Sequence, residues 1–171
     1  MVATSACGHR RPLCERNGRH VDVALMRPEV YSLLQTVHGI LGGLALVLLL
    51  HPLVALSRAT EVSDRVVRLC LLAGLMAAAP FTLGWWLYPT YRVRIKPALF
   101  VQDSPAWLWF ESKEHLAALF VILTISGALT LWLGRAPARR AAWWMLAMGW
   151  LCGVGTAILG IVVSAVAHPG W

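Results

Sequence analysis

Four long apolar runs dominate this chain: Val30 to Leu56, Val66 to Leu87, Leu116 to Leu133 and Ala141 to Ala167. A helix needs about 20 mostly apolar residues to cross the hydrocarbon core of a bilayer, and each run is near or beyond that length. Only helices and closed barrels leave no backbone polar group unpaired in lipid. The runs consist of Leu, Ala, Val and Gly without the period-two alternation of a barrel strand. The expected fold class is therefore all-α: a four-helix transmembrane bundle running up-down-up-down. Composition agrees. Of 171 residues, 58% are hydrophobic and 13% charged, against about 25% charged in a soluble domain. That excludes an ordinary water-soluble enzyme. The net charge of +7 comes mostly from arginines lying outside the apolar runs. They read as anchors beside a lipid bilayer, so no nucleic-acid partner is expected.

Local signals place the helix ends. Ser104-Pro105 is a start signal, a Ser cap followed by Pro at the first helical position, so the third helix is expected to begin well before its apolar body. Gly39/Gly43 and Gly149/Gly153 have the spacing that lets helices approach closely in lipid. Tryptophans gather near the run ends, as in an interfacial belt: Trp85, Trp86, Trp107, Trp109 and Trp171 at one end, Trp132, Trp143 and Trp144 at the other. The first and third connections are short and basic. The second, residues 88–103, is longer. Its alternation around Tyr88, Tyr91, Arg92 and Arg94 predicts a short extramembrane ribbon between helices 2 and 3. Cys70 and Cys152, inside apolar runs, read as small hydrophobes.

Residues 1–25 differ from the rest, with four Arg and little apolar mass. They are expected to be a disordered tail, unless translation begins at Met26. Cys7, His9, Cys14 and His20 match no zinc-finger spacing. Residues 26–171 are then one four-helix membrane domain. Counting the arginines beside the spans without residues 1–25 puts both termini and the 88–103 connection outside the cytoplasm, whereas the four Arg of that segment reverse the count; a bacterial plasma membrane is the expected location.

Ionisable groups inside a span cost roughly 2.5–3.5 kcal/mol each on insertion scales and mark functional sites by default. His38 lies about ten residues past Pro28, and His115 about ten past Pro105. Both helices enter from the same side, so the two imidazoles are expected at similar depth, roughly 15 Å along each helix. Glu111 precedes His115 by one turn on the same face, whereas Lys113 and Glu114 are expected to point elsewhere. His168 ends the fourth run on that side. His38, His115, Glu111 and His168 are therefore the candidate metal ligands. Two facing imidazoles suit a haem b iron, with Arg92 or Arg94 placed to pair with its propionates.

His38 and His51, thirteen residues apart on one helix, resemble the paired haem ligands of multi-helix membrane b-type cytochromes. The resemblance covers one helix and two residues, and it implies electron transfer. The chain departs from it at the far end, where no other histidine stands to complete a second haem. His51-Pro52 reads instead as an interfacial helix end.

Three functions follow from these residues. One haem b between helices 1 and 3 would serve electron transfer beside respiratory-complex subunits or a redox carrier. A cofactor-free structural or assembly subunit would use the same groups as a satisfied polar network. A copper or iron site, or a proton-coupled carrier, is the third. No catalytic residue is expected, because the chain has no phosphate loop, nucleophile elbow or HExxH.

Overall fold

The computed structural model describes residues 27–58, 61–94, 96–97 and 105–167. Residues 1–26, Ser104 and His168 lie outside the described residues. The described chain is helical, with no strand: α1 spans Pro28–Arg58, α2 Asp64–Arg94 and α3 Ala106–Ala167. All three are long and apolar enough to cross a membrane, which marks an integral membrane protein.

The helix count is three, not the expected four, and the difference resides in one residue. Straight, the 62 residues of α3 would reach about 93 Å at 1.5 Å per residue, about three times the hydrocarbon thickness of roughly 30 Å. At Arg135 the backbone turns to φ 50° and ψ −133°, a non-helical conformation that glycine tolerates best. Beyond it the helix folds back on itself. The contacts prove the fold-back by their register. Thr130 meets Met145, and Gly127 meets Leu146, Gly149 meets Thr124, Gly153 meets Phe120, and Gly160 meets Lys113. Residue numbers rise on one arm as they fall on the other, so the third and fourth apolar runs are two antiparallel arms of one helical hairpin.

The ends follow local chemistry. Ser63 caps α2: its carbonyl accepts from the Val66 and Val67 N–H groups at 3.1 and 3.2 Å, and its hydroxyl from Val66 at 3.4 Å. The Pro105 carbonyl accepts from Leu108 and Trp109 at 3.0 and 3.2 Å, so α3 does begin ahead of its apolar body. The predicted ribbon is not there over its first seven residues. Residues 88–94 continue α2 as helix, through Pro89, because Tyr91 points inward and stacks on Phe110 of α3. His51 likewise lies inside α1, about two turns of 3.6 residues before the end at Arg58, and is exposed.

Each helix buries a seam with steps of three and four residues. On α1 it is Ala45, Leu49, Pro52 and Leu56; on α2, Val67, Cys70, Gly74 and Ala77; on the arms of α3, Phe120, Thr124, Gly127 and Leu131, then Ala142, Leu146, Gly149 and Gly153. A mean spacing of about 3.5 is the geometry of helices packed at a shallow left-handed crossing. Small residues hold the closest approaches. Of the two glycine pairs, only Gly149/Gly153 is used among the described residues: a Cβ at Gly39 or Gly43 would meet nothing there within 4 Å. Indole N–H groups tie the second arm of α3 to α1. Trp143 donates to the Leu53 carbonyl and Trp150 to the Leu46 carbonyl, both at 3.2 Å. An N–H buried away from water has few other places to go, so Trp143 serves the bundle interior rather than the expected belt.

Candidate functional site

The helices bring polar groups together at the end of the bundle where α1 begins, α2 ends and α3 begins. Lys113 sits inside this end, about 10 Å along α3 from Ala106 at 1.5 Å per residue. Its stem passes Gly160 of the second arm, with Cδ 3.8 Å from where a Cβ would stand. Its ammonium lies 4.9 Å from the centroid of the Phe110 ring, an attraction between cation and ring face that strengthens as water is removed. Glu114, next along the helix, is half-buried and within electrostatic reach of Lys113. Lys113 and Glu114 thus face the bundle's polar end, where the residue spacing alone points them elsewhere.

Tyr91 forms the roof of this cluster. Its ring is 5% exposed and lies on Phe110 with centroids 3.6 Å apart and planes 11° apart. Tyr88 stacks behind it at 6.5 Å. The Tyr91 hydroxyl is buried and makes no hydrogen bond among the described residues, although Glu114 and Tyr31 lie within electrostatic reach. A buried hydroxyl left unpaired costs about 1–3 kcal/mol, and such groups in native folds usually have a bound water, an ion or a functional reason.

His38 closes the cluster from α1. Its Nδ1 lies 2.8 Å from the Pro80 carbonyl of α2. The ring rests in the notch left by Gly84, where a Cβ would stand only 3.0 Å from His38 Cε1. Lys113 lies within electrostatic reach of it. His115 goes the other way. It is exposed, and its Nδ1 is 2.7 Å from the carbonyl of Glu111, one turn back on its own helix. Among the described residues nothing joins His38 to His115, and no group of three or more His, Cys, Asp or Glu is placed to hold a metal.

The remaining predicted residues have other positions. Glu111 accepts from Lys96 at 2.9 Å in a partly exposed ion pair. That contact holds the Lys96 ammonium above its ordinary range, chiefly through the hydrogen bond to Glu111. Arg92 is exposed on the last turns of α2, and Arg94 is its final residue. The residue pattern sets Lys113 and Glu114 aside and assigns Tyr91 to the connection. The signal that finds them is the rarity of ionisable residues within the spans.

No protein-family model matches the chain, and no curated protein or solved structure matches it.

Proposed function

We propose that this integral membrane protein exchanges protons through the Lys113–Glu114 pair, in the manner of a proton-coupled carrier or pump component. The observation that carries the reading is that both charged groups lie at the polar end of the bundle beside a buried Tyr91 hydroxyl that has no hydrogen-bond partner among the described residues. Two adjacent charges of opposite sign offset part of each other's desolvation cost. Losing or gaining one proton leaves the partner uncompensated in a low dielectric. Such a pair responds sharply to a change in the groups around it: Tyr31 and His38 of α1, Tyr88 and Tyr91 of α2, Lys96 above, and Glu111 and His115 on α3. The Tyr91 hydroxyl, within electrostatic reach of Glu114, is a donor that its carboxylate can use. The test is infrared titration of the protein in lipid vesicles. All eight side-chain carboxyls of the chain contribute a protonated C=O band on acidification, and one component of it should be missing in Glu114→Gln. A band unchanged in Glu114→Gln overturns the reading.

A haem b between His38 and His115 is the second reading. In its favour, each imidazole commits Nδ1 to a backbone carbonyl, leaving Nε2 as the ligating nitrogen, which is the usual outer arrangement of a metal-bound histidine. It requires His115 to turn from the outer face of α3 towards α1. An absorbance band near 560 nm, about where bis-histidine b-type haem absorbs, in protein purified from haem-replete cells decides for it. Its absence removes this second reading. Under either reading, respiratory subunits or a redox carrier remain the partners to look for.

A further inference from the structure

At the opposite end of the bundle, beside the fold-back of α3, lies a cavity of about 430 Å³. It opens between the start of α2 and the end of the first arm of α3. Asp64, Arg68 and Arg135 form its polar walls, and Leu71 and Trp132 its apolar ones. Arg135 is already engaged, donating from Nη1 to Asp64 Oδ1. Arg68, one turn beyond Asp64 on the same face of α2, makes no hydrogen bond or ion pair among the described residues. One carboxylate, paired with Arg135, stands against two guanidiniums, and the cavity keeps a net positive charge. Arg58, Arg65, Arg139 and Arg140 stand at the same end of the spans, with Glu61 and Asp64 the only described carboxylates there.

An exposed guanidinium above a wall of Leu71 and Trp132 matches one kind of molecule. It must carry a single negative charge on several oxygens, and an apolar body directly below. A free phosphate satisfies the first demand and not the second. We propose that this cavity binds an anionic phospholipid, its phosphodiester held by Arg68 and its glycerol and first methylenes laid against Leu71 and Trp132. Arginine suits phosphate because its fork presents parallel donors, and basic pockets between helices at a span end are known hosts for anionic headgroups. The site lies at the far end of the bundle from Lys113 and does not depend on the proton reading.

Native mass spectrometry of the full chain, released from detergent containing equal phosphatidylglycerol and phosphatidylcholine, tests this. The expected result is one retained phosphatidylglycerol, lost about tenfold in Arg68→Gln, a factor in keeping with one charge-assisted contact. Arg140→Gln, which changes an arginine outside the cavity, should retain it. Asp64→Asn, which leaves Arg135 uncompensated beside Arg68, should raise retention severalfold. Circular dichroism confirms that each variant is folded. Equal retention of the two lipids overturns the proposal, as does an unaffected Arg68→Gln or an equal loss in Arg140→Gln. Displacement of the lipid by millimolar inorganic phosphate would assign the site to a free anion and overturn the lipid assignment.

Discussion

Changing Gly149 to alanine should loosen the hairpin, whereas the same change at Gly39 should not. A Cβ at Gly149 would stand 2.9 Å from Thr124 Oγ1 and 3.3 Å from both Leu123 Cβ and the Thr124 backbone nitrogen. Favourable carbon contacts begin near 3.5–4.0 Å. Thr124 has no easy escape. It is fully buried, its β-branched side chain has few rotamers, and its hydroxyl donates to the Phe120 carbonyl at 2.6 Å. The arms must therefore part by several tenths of an ångström, at about 1–3 kcal/mol for overpacking. Alanine's helix preference returns up to about 1 kcal/mol. At Gly39 nothing lies within 4 Å, so only the favourable term remains. The two variants should differ by about 2 kcal/mol, with Gly149→Ala the less stable. That is roughly thirtyfold in the ratio of folded to unfolded protein. Reversible unfolding in mixed micelles of rising sodium dodecyl sulfate, followed by tryptophan fluorescence, reads this directly. Equal stability of the two variants, or a more stable Gly149→Ala, would refute the close packing of the two arms.

Two further outcomes follow. Arg135→Gly should stabilise the hairpin in the same unfolding assay: it relieves a positive φ at a non-glycine residue, about 1–2 kcal/mol, and gives up only an exposed ion pair worth about 0–1 kcal/mol. A less stable variant would mean that the Asp64 contact, not the backbone, governs the turn. The Lys96–Glu111 pair should weaken in alkali. A lysine whose folded value is raised contributes its stability in full below the unfolded value. It loses that contribution as pH climbs through the folded one, which lies above the ordinary 10.5. Nitrogen-15 NMR of Lys96 and Lys113 should show Lys96 titrating late, and Glu111→Gln should return it to the ordinary range.

The four apolar runs are legible because lipid demands them: a run of about 20 apolar residues is rarely anything but a spanning helix. The joining of the last two is not. A one-residue reversal needs a positive φ, and the chain places Arg135 there, between Gly134 and Pro137, where either neighbour looks the better candidate. Tyr88 to Arg94 alternates like a strand, yet Tyr91 gains more by stacking on Phe110 inside a continued helix. The site is harder still to read. In a soluble helix the polar face tells inside from outside. In lipid both faces of α3 are apolar, so the spacing of Glu111 and His115 fixes that they share a face but not which way it looks. The same greasiness hides the buried seam, whose period of about 3.5 is drowned by equally apolar outward neighbours. Polar residues are scarce enough within the spans to mark the right short stretch, residues 111–115, and the right end of the bundle.

The reversal at Arg135 also bears on how the protein reaches its place. Two arms joined without slack cannot enter a bilayer one after the other while the first waits for a partner. The second must follow at once, and the arginines at the tip stay together on one side of the bilayer. Sequence tags or cleavage sites grafted between residues 134 and 137 would pry the arms apart, so reporters of sidedness belong on the connection before Ala106.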